Sequence, residues 1–314
     1  MRHIRDTDPA FFNARTGSPN LRIGLCALCA LLALTGLGAT ACNTLGNNGP
    51  TVPSGPPAPG STIHYTVLGA SDAIGFGSSS PCLPYTECAG NGYIFVAARQ
   101  LRTQGYTVTL TDLGIPTAVI SPAFLSLAQQ YGHPVAGDFI DGELPFVPQN
   151  TTLVTIFAGA NDVNVITAAL GGGAGASDQG AYIDQQVRSF GDSYQALVSG
   201  IRNTAKSARL VVLNLPNLAG LPFLAGAPLS QRQVAQRASV KMTTTVLNPL
   251  RAADLAVIDL MCDPRLYQPS NYSSDGFHPN DAGYAILAGE VVQAATSSSY
   301  PAPQGSCAQT TLVR

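Results

Sequence analysis

The chain reads as an α/β domain built on a parallel sheet. Short apolar runs alternate with longer stretches of helical spacing, and a turn rich in glycine, asparagine or aspartate precedes or follows every run but the second. Hydrophobic residues make up 45% of the 314 positions, which is ample for a buried core and excludes disorder throughout.

In chain order, Tyr65 to Leu68 gives a first strand, Tyr93 to Leu101 a helix and Tyr106 to Leu110 a second strand. Thr152 to Phe157 supplies the third strand. A helical stretch from about Gln179 to Ser207 leads into a fourth strand at Arg209 to Leu213. Another from Gln231 to Ala253 leads into the fifth at Ala256 to Leu260, and a closing helix spans Asp281 to Ala294. Between Ile115 and Asn150, five prolines cut the chain into loops and short helices, a segment suited to covering a site.

The N-terminal residues carry a separate signal. Arg15 and Arg22 precede an apolar stretch from Ile23 to Gly38, too short and glycine-broken to span a membrane and closed by Ala39, Thr40 and Ala41 before Cys42. Residues 1–41 therefore read as an export signal. Small residues directly before a cysteine resemble a bacterial lipobox, which implies that Cys42 is lipidated and anchors the protein to a membrane facing the periplasm or cell surface. The alternative is ordinary cleavage near Ala41, giving a soluble exported form. Asp6 and Asp8, ahead of the apolar stretch, suggest a misassigned start codon.

Residues 42–61 form a tether rich in proline, glycine and serine, residues 62–300 the domain, and residues 301–314 a tail. Setting aside Cys26, Cys29 and Cys42 leaves Cys82, Cys88, Cys262 and Cys307, an even set that favours two disulfides in an exported domain. The short interval from Cys82 to Cys88 favours pairing within that loop, with Cys262 to Cys307 tying down the tail. These spacings lack the close Cys-x-x-Cys pairs of zinc sites, so no metal or other cofactor is expected. Sixteen basic against eighteen acidic residues, and only two lysines, exclude a nucleic-acid partner.

Chemistry concentrates in three segments. Asp275-Gly276-Phe277-His278 places a carboxylate three residues before a histidine, as a base needs when its second ring nitrogen must be held in one tautomer. Ser71 follows the first strand in Gly69-Ala70-Ser71-Asp72, where a hydroxyl can stand at the rim of the sheet. Asn161 follows the third strand in Gly159-Ala160-Asn161-Asp162, where its amide can donate into a crevice. Asp162 beside it serves to fix the loop.

Serine after the first strand, Gly-x-Asn-Asp after the third and Asp-x-x-His-Pro before the last helix resemble, in that order, the SGNH (GDSL) hydrolases. The resemblance spans roughly Thr62 to Thr296 and includes Asn214-Leu215-Pro216-Asn217 after the fourth strand. It implies a flavodoxin-like three-layer α/β/α sandwich on a five-stranded parallel sheet. It also implies a serine hydrolase cleaving carboxylic esters through Ser71, His278 and Asp275, with no cofactor and a small-molecule, lipid or carbohydrate ester as substrate. The oxyanion hole would comprise the Ser71 N–H, the Asn161 side chain and an N–H from Thr117, with Gly114 as the alternative third donor. An acyltransferase, a carbohydrate deacetylase or a catalytically silent binding lipoprotein are the other readings.

Two positions depart from the family pattern. Ala70 stands where the acid of Gly-Asp-Ser-Leu precedes the serine, a change that spares the triad. Thr117 stands where the family has glycine, so its N–H can donate provided the backbone does not require positive φ.

Overall fold

The computed structural model describes residues 55–82 and 88–314. The expected export signal and Cys42 lie outside them, as does most of the expected tether. Residues 55–61, the tether's end, lie against the domain, where the Tyr106 hydroxyl donates to the Pro57 carbonyl at 3.4 Å.

Five strands form one all-parallel sheet in the order β2-β1-β3-β4-β5: β1 (Thr62–Gly69), β2 (Thr107–Asp112), β3 (Leu153–Phe157), β4 (Arg209–Leu213) and β5 (Ala256–Ile258). This is the expected flavodoxin-like order, with a topological switch point between β1 and β3, where the crevice of such a sheet opens. In the register of that pair, Tyr65 faces Leu153 and Gly69 faces Phe157. The two strand ends that carry Ser71 and Asn161 therefore open on the same crevice. β2 runs two residues beyond its expected end, because Val67 on β1 continues to pair as far as Asp112.

Alternation along the strands sorts the core into two layers. Leu68, Val154, Ile156, Val212 and Val257 face one side and are buried against α2 (Pro122–Gln130), α4 (Ala160–Gly171), α5 (Gln179–Thr204) and α6 (Leu229–Lys241). Tyr65, Val67, Val211, Leu213 and Ile258 face the other, against α1 (Tyr93–Thr103) and α7 (Asp281–Thr296). Ile156, fully buried, would cost about 2–5 kcal/mol if cut to alanine, since the cavity adds to the lost transfer energy.

The helix expected from Gln231 to Ala253 is three pieces. After α6 the chain widens into a π-turn at Met242–Leu247 and tightens into a 3₁₀ segment at Asn248–Ala253. The Thr244 and Thr245 hydroxyls donate back to the carbonyls of Val240 and Lys241, which distorts the helical ladder, and Pro249 lacks the donor to continue it. Between β2 and β3 lie α2, α3 (Phe139–Gly142) and a short 3₁₀ turn. α4 has no counterpart among the expected helices.

Disulfides join Cys82 to Cys88 and Cys262 to Cys307, the expected pairing. The second brings in the tail, which then docks on α6: Gln236 donates to the Val313 carbonyl and accepts from the Val313 N–H. Among the described residues no helix is long and apolar enough to cross a membrane.

Candidate active site

The loop leaving β1 is a succession of tight turns. Ala73 N–H donates to the Ala70 carbonyl, Gly75 N–H to that of Asp72 and Phe76 N–H to that of Ser71. These bonds lift Ser71 out of the sheet plane at the crevice, leaving it 6% exposed. No acceptor within the chain takes the Ser71 N–H among the described residues.

His278 arrives from the other end of the sequence. Asn280 caps α7, accepting from the N–H groups of Ala282 and Gly283, and its amide donates to the carbonyls of Ser270 and Tyr272. The loop just before the helix is thereby fixed at both ends. Gly276 has φ 70°, and a Cβ there would lie 2.6 Å from the Phe223 nitrogen, so glycine is required twice over.

Within this turn Asp275 Oδ1 accepts from the Phe277 N–H at 2.8 Å, the His278 N–H at 3.0 Å and the Ser273 hydroxyl at 2.8 Å. Oδ2 is 2.6 Å from His278 Nδ1, and His278 Nε2 is 2.7 Å from Ser71 Oγ. A carboxylate can only accept, so Nδ1 carries the ring proton and Nε2 is left to accept from the Ser71 hydroxyl. Burial alone would raise the Asp275 carboxyl. The hydrogen bonds from the His278 ring, the two N–H groups and Ser273 outweigh it and bring it down to about 2. The sequence-predicted trio thus lies in one hydrogen-bonded line across 207 residues of chain.

Asn161 lies in the first turn of α4, whose cap is Gly159. One of its amide hydrogens goes to the Ala118 carbonyl at 2.9 Å, which leaves the second for a ligand. Ala118 and Asn161 line a small recess together with Ala70, Asp72 and Phe277.

Thr117 takes φ 64°, the conformation glycine favours and a branched side chain resists, so the condition set by the sequence is not met. Its Oγ1 accepts from the Ala136 N–H at 2.9 Å, and among the described residues its own N–H meets no acceptor. The Gly114 N–H, by contrast, is engaged by Asp112 Oδ1 at 3.0 Å. Of the two alternatives for a third donor, only Thr117 has its N–H unengaged.

Three carboxyls lie near these loops; Asp162 holds one of them, the role expected for it, whereas nothing in the sequence pointed to Glu143 or Asp72. Asp162, buried, accepts from the Ile120 N–H at 3.0 Å, and desolvation pushes it up to about 7. Glu143, also buried, accepts from the Gly69 N–H at 3.0 Å and is pushed well above the carboxylate range by burial. It thereby holds the strand end two residues before Ser71. A lone glutamate in a proline-broken segment gives no sequence signal for this. Asp72, partly buried, is raised by desolvation, an effect that nearby His278 opposes.

His64 lies on β1 with Nδ1 2.8 Å from Thr109 Oγ1, and His133 follows α2, both away from the Ser71 line. Among the described residues no group of three or more histidine, cysteine or acidic side chains is arranged to hold a metal ion.

Comparison with known proteins gives the family and the fold. The model of the GDSL-like lipase/acylhydrolase family matches residues 67–286. No curated protein sequence matches the chain. Among solved structures, the lipase Lip_vut3 from a goat rumen metagenome superposes with a TM-score of 0.51 at 18% identity, over 74% of this chain and 97% of that one. An extracellular lipase from Streptomyces rimosus gives 0.47 at 19% identity, over 73% and 99%. An acetylxylan esterase from Geobacillus stearothermophilus gives 0.45 at 14% identity, over 81% and 98%.

Proposed function

The chain belongs to the GDSL-like lipase/acylhydrolase family and is a carboxylic ester hydrolase, and from that premise we propose that it works through an acyl-serine intermediate on Ser71. The observation that carries this reading is the unbroken line from Ser71 Oγ to His278 Nε2 at 2.7 Å and from His278 Nδ1 to Asp275 Oδ2 at 2.6 Å.

Ser71 Oγ attacks the ester carbonyl as its proton passes to His278 Nε2, and the Asp275 carboxylate stabilises the imidazolium. The carbonyl oxygen, now negative, accepts from the Ser71 N–H, the second Asn161 amide hydrogen and the Thr117 N–H. Each such donor typically contributes about 3 kcal/mol to the transition state. Collapse expels the alcohol, protonated by His278. Water then enters, gives a proton to the same nitrogen and attacks the acyl-serine; collapse returns that proton to Ser71 Oγ and releases the acid.

Two disulfides fit an oxidising compartment, which supports export. Lipidation of Cys42 is the accompanying proposal, tested by labelled palmitate in cells: incorporation lost in Cys42→Ala supports it, and no incorporation in the unsubstituted protein favours a soluble exported form.

The catalytic reading is tested on the exported chain from Thr62 onward with 4-nitrophenyl esters and a serine-directed phosphonate. Ser71→Ala and His278→Ala should abolish turnover, and the phosphonate should label Ser71. A shared background rate for the unsubstituted protein and Ser71→Ala, with no label, would favour a binding protein.

A further inference from the structure

Beside the recess at Asn161 lies a much larger trough, about 580 Å³, the size of a site for a small organic ligand. One wall is α4. Asn164, Ala168 and Gly171 line it, and they share the helix face that carries Asn161, three, seven and ten residues on. The opposite wall is Phe223 with Pro228 and Val234 at the start of α6. Phe223 ties this wall to the Ser71 line: its ring meets Phe277 at 4.9 Å, and Phe277 meets the His278 ring at 4.9 Å.

None of the lining residues is aspartate, glutamate, lysine or arginine. Its one titratable residue, His133, is pushed toward the neutral form by burial, so an ionic ligand finds no counter-charge, while Leu170, Phe223, Pro228 and Val234 offer an alkyl chain apolar contact. Two of the large side chains left exposed lie next to these groups. Leu229 is 57% exposed between the lining residues Pro228 and Ser230, and Phe76 is 48% exposed with its ring 4.7 Å from that of His278.

We propose that this trough receives the acyl chain of a medium-length, uncharged ester, with the carbonyl at Asn161 and the chain running along α4 toward Gly171. This rests on the ester hydrolase reading above. The α4 wall begins at the residue that addresses the carbonyl oxygen, so the trough runs away from the scissile carbonyl. At 1.5 Å per residue, Ala168 lies about 10 Å and Gly171 about 15 Å along the helix from Asn161. An extended chain of C–C bonds of about 1.5 Å advances about 1.3 Å per carbon, so these positions correspond to about eight and about twelve carbons.

The test uses 4-nitrophenyl esters from acetate to palmitate with the unsubstituted protein, Ala168→Phe and Gly171→Leu. A Cβ at Gly171 meets nothing within 4 Å, so that substitution enters open space and guards against a folding failure in the other. The unsubstituted protein should favour chains of roughly eight to twelve carbons. Ala168→Phe should lower the ratio of kcat/KM for decanoate to that for acetate at least tenfold, and Gly171→Leu should curtail only the longest accepted chains. Unchanged ratios in both variants, with every ester still hydrolysed, would overturn the trough and leave the hydrolase reading intact. The same holds if the two substitutions instead alter selectivity among alkyl acetates of differing alcohol length. Failure of the unsubstituted protein to hydrolyse any ester, with no phosphonate label on Ser71, would remove both readings together.

Discussion

Replacing Asp275 by asparagine separates the orienting role of the carboxylate from its structural one. Three of its four hydrogen bonds fall on Oδ1, from Ser273, Phe277 and His278, and an asparagine carbonyl can keep them all. The amide nitrogen then stands where Oδ2 was, 2.6 Å from His278 Nδ1. Two N–H groups cannot face each other there, so the ring proton moves to Nε2, which now points a hydrogen at Ser71 Oγ and cannot take one. Loss of the correct tautomer in a serine triad costs about 10⁴ in kcat, equivalent to about 5 kcal/mol of barrier. Steady-state kinetics on a 4-nitrophenyl ester should show that fall with KM within about threefold, as Asp275 touches no substrate. The melting temperature should move by only a few degrees. A kcat reduced less than tenfold in a folded variant would refute the tautomer mechanism. The carboxylate, held at about 2, stays ionised above pH ~4 and adds no step to the rate profile there. With its folded pKa depressed, what it adds to stability is present above the unfolded value of about 3.9 and fades as pH falls toward 2. Its partial exposure keeps that contribution small.

Asp162 behaves in the opposite sense: raised from 3.8 to about 7, its stabilising neutral form is fully present below the unfolded value and lost as pH rises through 7. That is about 4 kcal/mol at most, so Asp162→Asn should flatten the fall in urea-derived stability between pH ~5 and ~8.5 by a large part of it, leaving Asp112 and Glu143 to set the rest. An unchanged slope would show that its burial is not the cause. Thr117→Gly should keep kcat within about threefold, because a backbone N–H is retained and the left-handed strain of about 1–2 kcal/mol is relieved; a hundredfold loss would make the side chain the essential group. Removing the Cys262–Cys307 bond by a double serine substitution frees a loop with a sequence separation of 45, worth about 4 kcal/mol by chain entropy, and should lower the urea midpoint and expose the tail to proteolysis. No shift in midpoint would mean that the tail's contacts with α6 suffice without the bond.

What the sequence made legible is what is local. The spacing of Asp275 and His278 builds a turn whose own N–H groups bind the carboxylate, so the pair could be read from four residues. The five strands announced themselves through apolar runs, with ends off by up to three residues, as at the start of β1, where pairing with a neighbour overrode composition. Residues 115 to 150 resisted reading because their order comes from afar: Glu143 is held by Gly69 and Ile120 by Asp162. The trough was equally hidden, since it requires α4, Phe223 and the start of α6 to meet, and no one segment carries that fact.

Thr117 shows how the two kinds of determination interact. The sequence permitted its donor role only without positive φ, yet the chain adopts φ 64° there. Ile115 N–H is tied to the Gly69 carbonyl, Ala118 N–H to that of Ile115 and the Thr117 hydroxyl to Ala136 N–H, so the loop is anchored on both sides of the residue. With the path of the backbone set by its neighbours, the side chain accommodates the strain rather than redirecting the N–H. The same reasoning covers Ala70, where the family's acid is missing. The turn that presents Ser71 is closed by main-chain bonds from Ala73, Gly75 and Phe76, none of which needs a carboxylate at position 70. In the proposed mechanism positions 70 and 117 serve through the backbone and tolerate the loss of both motif residues, whereas Asp275, His278 and Asn161 would act through side-chain atoms and admit no such exchange.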